Sequence, residues 1–172
     1  TTQQFFDGET FEPVSPPIEQ AHEGAGWIAV ADDRSWMVLA DGPNSLDVVE
    51  LATGRVLSRS PLTWPDQPGG AVVPGRDAVL IFDQGNGESF VLDVHTGNET
   101  PSPVPTGEAA IVAFSHSGKL VATADVSGEV VVRDGSTFEV LHRLNAAEPV
   151  SPFMSMSFSD DDRFLLTVHP TG

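Results

Sequence analysis

The 172-residue sequence is 40% hydrophobic, lacks cysteine and carries 25 acidic against 8 basic residues, a formal net charge of −17. That charge repels nucleic-acid phosphates and anionic membrane surfaces. The missing cysteines exclude disulfide and thiolate chemistry, and no apolar run approaches the roughly 20 residues of a membrane-spanning helix.

Sixteen glycines and fourteen prolines, spread along the whole length, predict many short strands joined by turns. The first predicted element is a half unit, residues 1–15, built on Phe6-Asp7-Gly8-Glu9-Thr10-Phe11. An acidic residue followed three positions later by Thr returns at Glu50, Asp93 and Asp134, so that with Asp7 the acids mark a period of 41–43 residues. All four are expected at equivalent ends of third strands. A second landmark keeps a similar period: Val30–Trp36, Val73–Val79, Phe114–Leu120 and Phe158–Phe164. Repetition at this interval is the mark of a stacked-repeat architecture.

Residues 16–59 form the first complete unit. Trp36–Ala40 reads as its second strand and is apolar almost throughout, as are Ala78–Phe82, Leu120–Ala124 and Phe164–Val168 in the later units. Continuous apolar character predicts burial on both faces, and a sheet sandwiched between identical neighbours supplies it. Trp27 and Trp36 are expected in the core. Residues 60–101 form the second unit, entered through Ser60–Pro68, in which Trp64 stands between prolines and Asp66 follows it.

Residues 102–145 form the third and clearest unit, with strands expected at Ala110–Phe114, Leu120–Ala124, Glu129–Arg133 and Phe138–Leu144. Residues 146–172 close the chain with a second half unit, entered through a loop that ends in Phe153-Met154. Four strands of about five residues per period make one antiparallel meander. The expected fold is therefore all-β, a β-propeller of four-stranded blades, half plus three plus half.

Within the third unit, the run from Phe114 to Asp134, FSHSGKLVATADVSGEVVVRD, resembles the WD40 repeat. The family's Trp-Asp pair corresponds to Phe6-Asp7, Val49-Glu50, Leu92-Asp93 and Arg133-Asp134, and its Gly-His pair is missing unless Ala21-His22 is its remnant. The likeness is specific in the third unit and diffuse in the others. It implies a WD40-like propeller, of a kind also found in large bacterial multidomain regulators. The departures leave the family's Asp–His–Ser/Thr network in question rather than the propeller.

The residues carry no catalytic constellation. Asp41, Asp83 and Asp125 recur at the ends of second strands, where Asp closes a tight turn through its own backbone. Asp160-Asp161-Asp162 stands in a hairpin turn and lacks the glycine and distal glutamate of a calcium loop. The histidines at 22, 95, 116, 142 and 169 have no metal-ligand spacing, and Gly85-Asn86-Gly87 is followed by a strand where a phosphate loop needs a helix.

A non-catalytic scaffold or sensor module within a larger, cytoplasmic protein is expected, with a protein or peptide partner, no cofactor and no metal. Its candidate contact surface is Trp64, Asp66, Phe153, Met154 and His22. The alternatives are an enzyme whose site lies on other blades or at the ring centre, and a half-propeller that assembles with itself. Thr1 and Gly172 share a repeat phase, so each half unit has an open edge. A longer propeller, an eight-bladed ring of two copies, or closure of one copy as four blades would each remove those edges.

Overall fold

The computed structural model describes residues 2–7, 9–19, 26–31, 33–40, 45–62, 68–83, 88–105, 109–125, 128–145 and 155–168. Among these residues there is no helix. The strands are β1 (Thr2–Gln3), β2 (Ile18–Glu19), β3 (Gly26–Val30), β4 (Trp36–Ala40), β5 (Ser45–Glu50) and β6 (Val56–Pro61). They continue with β7 (Pro68–Val72), β8 (Ala78–Asp83), β9 (Ser89–Asp93), β10 (Glu99–Pro101) and β11 (Ala109–Phe114). The last are β12 (Leu120–Asp125), β13 (Glu129–Asp134), β14 (Val140–Asn145), β15 (Ser155–Phe158) and β16 (Leu165–Val168).

Pairing is between sequence neighbours and antiparallel throughout. The strands group as a hairpin β1–β2, three four-stranded meanders β3–β6, β7–β10 and β11–β14, and a hairpin β15–β16. Each meander is a blade. The first strands β3, β7, β11 and β15 approach one another in succession, so the blades fan out from a common inner edge as in a propeller.

Burial follows from the stacking. In β8 the side chains alternate between two cores: Val79 and Ile81 join Ile28, Val38 and Val48 of the preceding blade. Leu80 and Phe82 join Val112 and Val121 of the following one. Both faces are dry, which is why β8 carries no polar residue before Asp83. Each fully buried aliphatic side chain contributes about 1.5–3 kcal/mol, so the clefts between blades hold the fold together. The N-terminal hairpin adds Ile18 and Phe5 to Met37, Leu39 and Val49 of the first blade, and β15 adds Met156 to Ala122 and Val132 of the third. Tight packing also explains Gly69 and Gly70 on β7. A Cβ there would lie 2.3 Å from the Phe82 ring and 2.1 Å from Ile28 Cγ2, respectively.

Three readings of the sequence need correction. The strand placed at Phe138–Leu144 starts at Val140, because Phe138 has φ +60° and belongs to the turn. The second copy of the Phe114 landmark is shifted by one residue. Val73 N–H bonds Ala78 O as Ser115 N–H bonds Leu120 O, so Val72, not Val73, matches Phe114. The final second strand is not buried on both faces: Leu166 is 60% and Phe164 64% exposed, since no blade covers that side among the described residues. Among the described residues β1 pairs with β2 and β15 with β16, and the two hairpins stand as separate two-stranded sheets. Trp36 is buried as expected, whereas the Trp27 side chain lies outside the described residues.

Candidate interaction surface

The turn between third and fourth strands is the most regular local structure in the molecule. At the third blade, Asp134 Oδ1 accepts hydrogen bonds from the N–H groups of Ser136 and Thr137 at 2.9 and 2.8 Å and from the Thr137 hydroxyl at 3.2 Å. Thr137 Oγ1 in turn accepts the N–H of Glu139 at 3.4 Å. The backbone closes around them, with Phe138 N–H on Asp134 O and Asp134 N–H on Glu139 O, both at 2.9 Å.

The same set recurs at Asp93 with His95 and Thr96 and at Asp7 with Glu9 and Thr10. At Glu50 the longer side chain bonds only the Thr53 hydroxyl, while Arg55 N–H donates to Thr53 Oγ1 at 3.2 Å. The geometry forces the fifth residue into the left-handed region, at φ +70° and +71° for Gly54 and Gly97 and +58° and +60° for Phe11 and Phe138. Asp and Thr suit these places because a short oxygen acceptor reaches the N–H groups two and three residues on.

These hydrogen bonds set the charge state of the acids. The Thr137 N–H, followed by that of Ser136, holds Asp134 below the usual carboxylate range. The Thr10 N–H does the same for Asp7, and the Thr96 hydroxyl for Asp93. Asp33 is lowered chiefly by the Ser35 hydroxyl and Asp162 by Ser117. Carboxylates held in this way are ionised acceptors, the opposite of the raised acid that proton donation at neutral pH requires.

Of the acids at second-strand ends, Asp125 accepts the Glu129 N–H at 3.0 Å and Asp83 is buried, while Asp41 lies outside the described residues. All five candidate contact residues, His22, Trp64, Asp66, Phe153 and Met154, also lie outside the described residues.

Two polar links were not anticipated from the sequence. Arg59 Nε donates to the buried Asp47 at 2.7 Å across β5–β6. Asp77 accepts from Trp36 Nε1 at 3.5 Å and pairs with His95 Nε2 at 3.0 Å, joining the first blade to the second. The His95–Asp77 pair is exposed.

A cleft lies between the second and third blades. It encloses about 340 Å³, floored by Leu80, Val91 and Phe114, walled by Phe138, and opening past the exposed Arg76 and Ser136. Among the described residues its lining holds Arg76 and the hydroxyls of Ser117 and Ser136 but no His, Asp or Glu. Among the described residues no group of three or more His, Asp or Glu is placed to hold a metal.

No protein-family model matches the sequence, and no curated protein matches it. Solved structures match the fold. The Myceliophteria thermophila Cps50 (Swd1) β-propeller domain superposes with a TM-score of 0.75 at 13% identity, covering 98% of this chain and 56% of that one. A chain of the Mitotic Checkpoint Complex superposes with a TM-score of 0.74 at 12% identity, covering 99% of this chain and 53% of its own. The chain thus spans about half the length of the structures it matches, and its fold is that of a β-propeller segment.

Proposed function

We propose that this chain is a non-catalytic, WD40-like propeller scaffold that holds a protein or peptide partner within a larger protein. The observation that carries the reading is the use of its acids. Asp7, Asp93 and Asp134 are each committed to the turn that follows them and held ionised there, so the most regular polar feature of the molecule is architecture. What the blades offer a ligand is a rigid set of turns and an apolar cleft, the components of a binding surface. A similar fold occurring in a chain of the Mitotic Checkpoint Complex supports the same reading. The formal charge of −17 argues against a nucleic-acid partner.

Affinity capture on the immobilised chain, with quantitative mass spectrometry, tests the proposal. A partner protein retained in stoichiometric amount and released by free chain is expected. Retention of nucleic acid in a salt-sensitive manner, or turnover of a substrate by the chain alone, would contradict it.

A second reading is favoured by the sheet edges. The hairpin β1–β2 carries a third-to-fourth-strand turn, at Asp7, and β15–β16 carries a first-to-second-strand turn, closed by Ser159 N–H on Phe164 O at 2.9 Å. Set edge to edge, the two hairpins would complete one four-stranded blade. We propose that two copies can join head to tail in this way as an eight-bladed ring. Light scattering distinguishes the cases, twice the chain mass supporting the ring and a monomer at every concentration opposing it.

A further inference from the structure

Each complete blade meets the one before it through the same two positions, the residues on either side of the third-strand acid. At the first blade these are Val49 and Leu51, both 2% exposed, and at the second Leu92 and Val94, both fully buried. At the third blade the same positions hold Arg133 and Gly135. Arg133 stands directly opposite Val121 across β12–β13, so it shares the face that packs on Leu80 and Phe82 of the second blade.

A guanidinium therefore occupies the place that hydrocarbon fills elsewhere. Its Nη1 donates to Phe138 O at 3.3 Å, and its Nε is buried without a hydrogen-bond partner among the described residues. A dry, unpaired donor on a charged group is costly. Gly135 supplies no side chain, and none can be added, because a Cβ would lie 2.0 Å from Gly118 O. The cavity of about 340 Å³ lies where these changes fall, lined by Gly135, Ser136 and Phe138 among others.

The charges around it are unusual for so acidic a chain. Arg34, Arg55, Arg59, Arg143 and Arg163 each have a carboxylate partner. Arg76, in the cavity lining, forms no ion pair among the described residues, and Arg133, outside the lining, is a second cation bonded to the backbone of the lining residue Phe138. Of the nearby acids, Asp77 is engaged with His95 and Trp36, Asp134 in its own turn, and Asp162 accepts the Ser117 N–H at 3.4 Å at the cavity rim.

We propose that the cleft between the second and third blades binds a peptide segment carrying a bulky apolar side chain next to a carboxylate. The apolar group enters the cavity over the partly exposed Val91 and Phe114. The carboxylate pairs with Arg76 under the added positive potential of Arg133. On a surface that otherwise repels acidic partners, this local charge fixes the orientation of the segment. The proposal rests on the reading of the chain as a protein-binding scaffold and gives that reading a site and a ligand chemistry.

The test is titration of the ¹⁵N-labelled full chain with a capped peptide, acetyl-Ser-Gly-Trp-Asp-Gly-Ser-amide, followed by amide chemical shifts. Saturable shifts at Gly118, Gly135 and Ser136 are expected, with Kd on the order of 1 mM or tighter. Asn in place of the peptide's Asp should weaken binding about fivefold. The exposed substitution Arg76→Glu should cause a larger loss for the Asp peptide and invert the Asp/Asn preference, and Ser117→Trp should block the cavity opening and abolish the shifts. Shifts that are absent, or that ignore both Arg76→Glu and the Asn peptide, would overturn the proposal. A captured partner that is retained equally by wild type and Ser117→Trp overturns the site while the scaffold reading stands. Capture of no partner together with no peptide binding overturns both.

Discussion

Leu120–Asp125 and Leu165–Val168 are the second strands of successive repeats, and both are rich in Leu and Val, yet they have opposite surroundings. In β12, Val121 through Ala124 are buried, with Val121 facing the second blade and Ala122 and Ala124 facing the terminal hairpin. In β16 only Leu165 joins the core of the third blade, while Leu166 and Val168 are exposed. The outer strands show the same contrast. Ser58 and Ser60 on β6 donate to Val94 O and Glu99 of the next blade. The matching His142 and Leu144 on β14 are exposed, with only a two-stranded neighbour beside them. An apolar strand in a stacked repeat specifies its place in the stack, and its burial comes from the blades on either side.

The largest expected effect sharpens that comparison directly. Leu80→Ala in β8, where the side chain is fully buried between two blades, should cost about 2–5 kcal/mol. Leu166→Ala in β16 should stay within about 0.5 kcal/mol. Equal losses in chemical denaturation would break the distinction between the two strands.

A smaller contrast lies in the left-handed turn residues. Phe138 packs against the core between the second and third blades, whereas Phe11 is 77% exposed, and glycine relieves the left-handed strain at either place. Phe138→Gly should therefore destabilise by about 1 kcal/mol net of that relief, while Phe11→Gly leaves the melting temperature unchanged or raises it.

The smallest effects concern the acids. Asp134→Ala removes three acceptor contacts and should destabilise more than Glu50→Ala, which removes one bond to a hydroxyl and a long, exposed ion pair with Arg55 at 3.8 Å. Because hydrogen bonding depresses the folded-state pKa of Asp134, its stabilising contribution is present above the unfolded value near 3.8 and lost as pH falls through the lower folded value. The stability gap between wild type and Asp134→Ala should accordingly close in acid. A gap that widens below that pH would contradict the assigned hydrogen bonds.

The propeller fold was legible because it is periodic. The spacing of the acids and the apolar second strands recur, and repetition reveals a stack before any strand is placed. Detail was lost where one residue serves two rules. Phe138 reads as a strand residue by composition, but the turn needs a left-handed residue at that position. Val73-Pro74-Gly75 mimics the landmark one position late because its turn places Gly75, rather than Arg76, at positive φ.

The cleft was missed for a different reason. Arg133 and Gly135 look unremarkable in a line of sequence, and their meaning appears only when Val49, Leu51, Leu92 and Val94 are seen filling the same positions. The exposed face of β16 was missed because a sequence shows that a strand is apolar and not what covers it.

Hydrogen exchange measured by mass spectrometry, on the 172-residue chain diluted until it is monomeric, tests the stacked-blade account most directly. The amides of Ala78–Asp83 and Leu120–Asp125 should be strongly and similarly protected, because each strand is bonded on both sides and covered on both faces. Those of Leu165–Val168 should exchange orders of magnitude faster, consistent with a strand whose outward side chains Leu166 and Val168 are exposed. Exchange of Ala78–Asp83 or Leu120–Asp125 as fast as Leu165–Val168 would contradict the account.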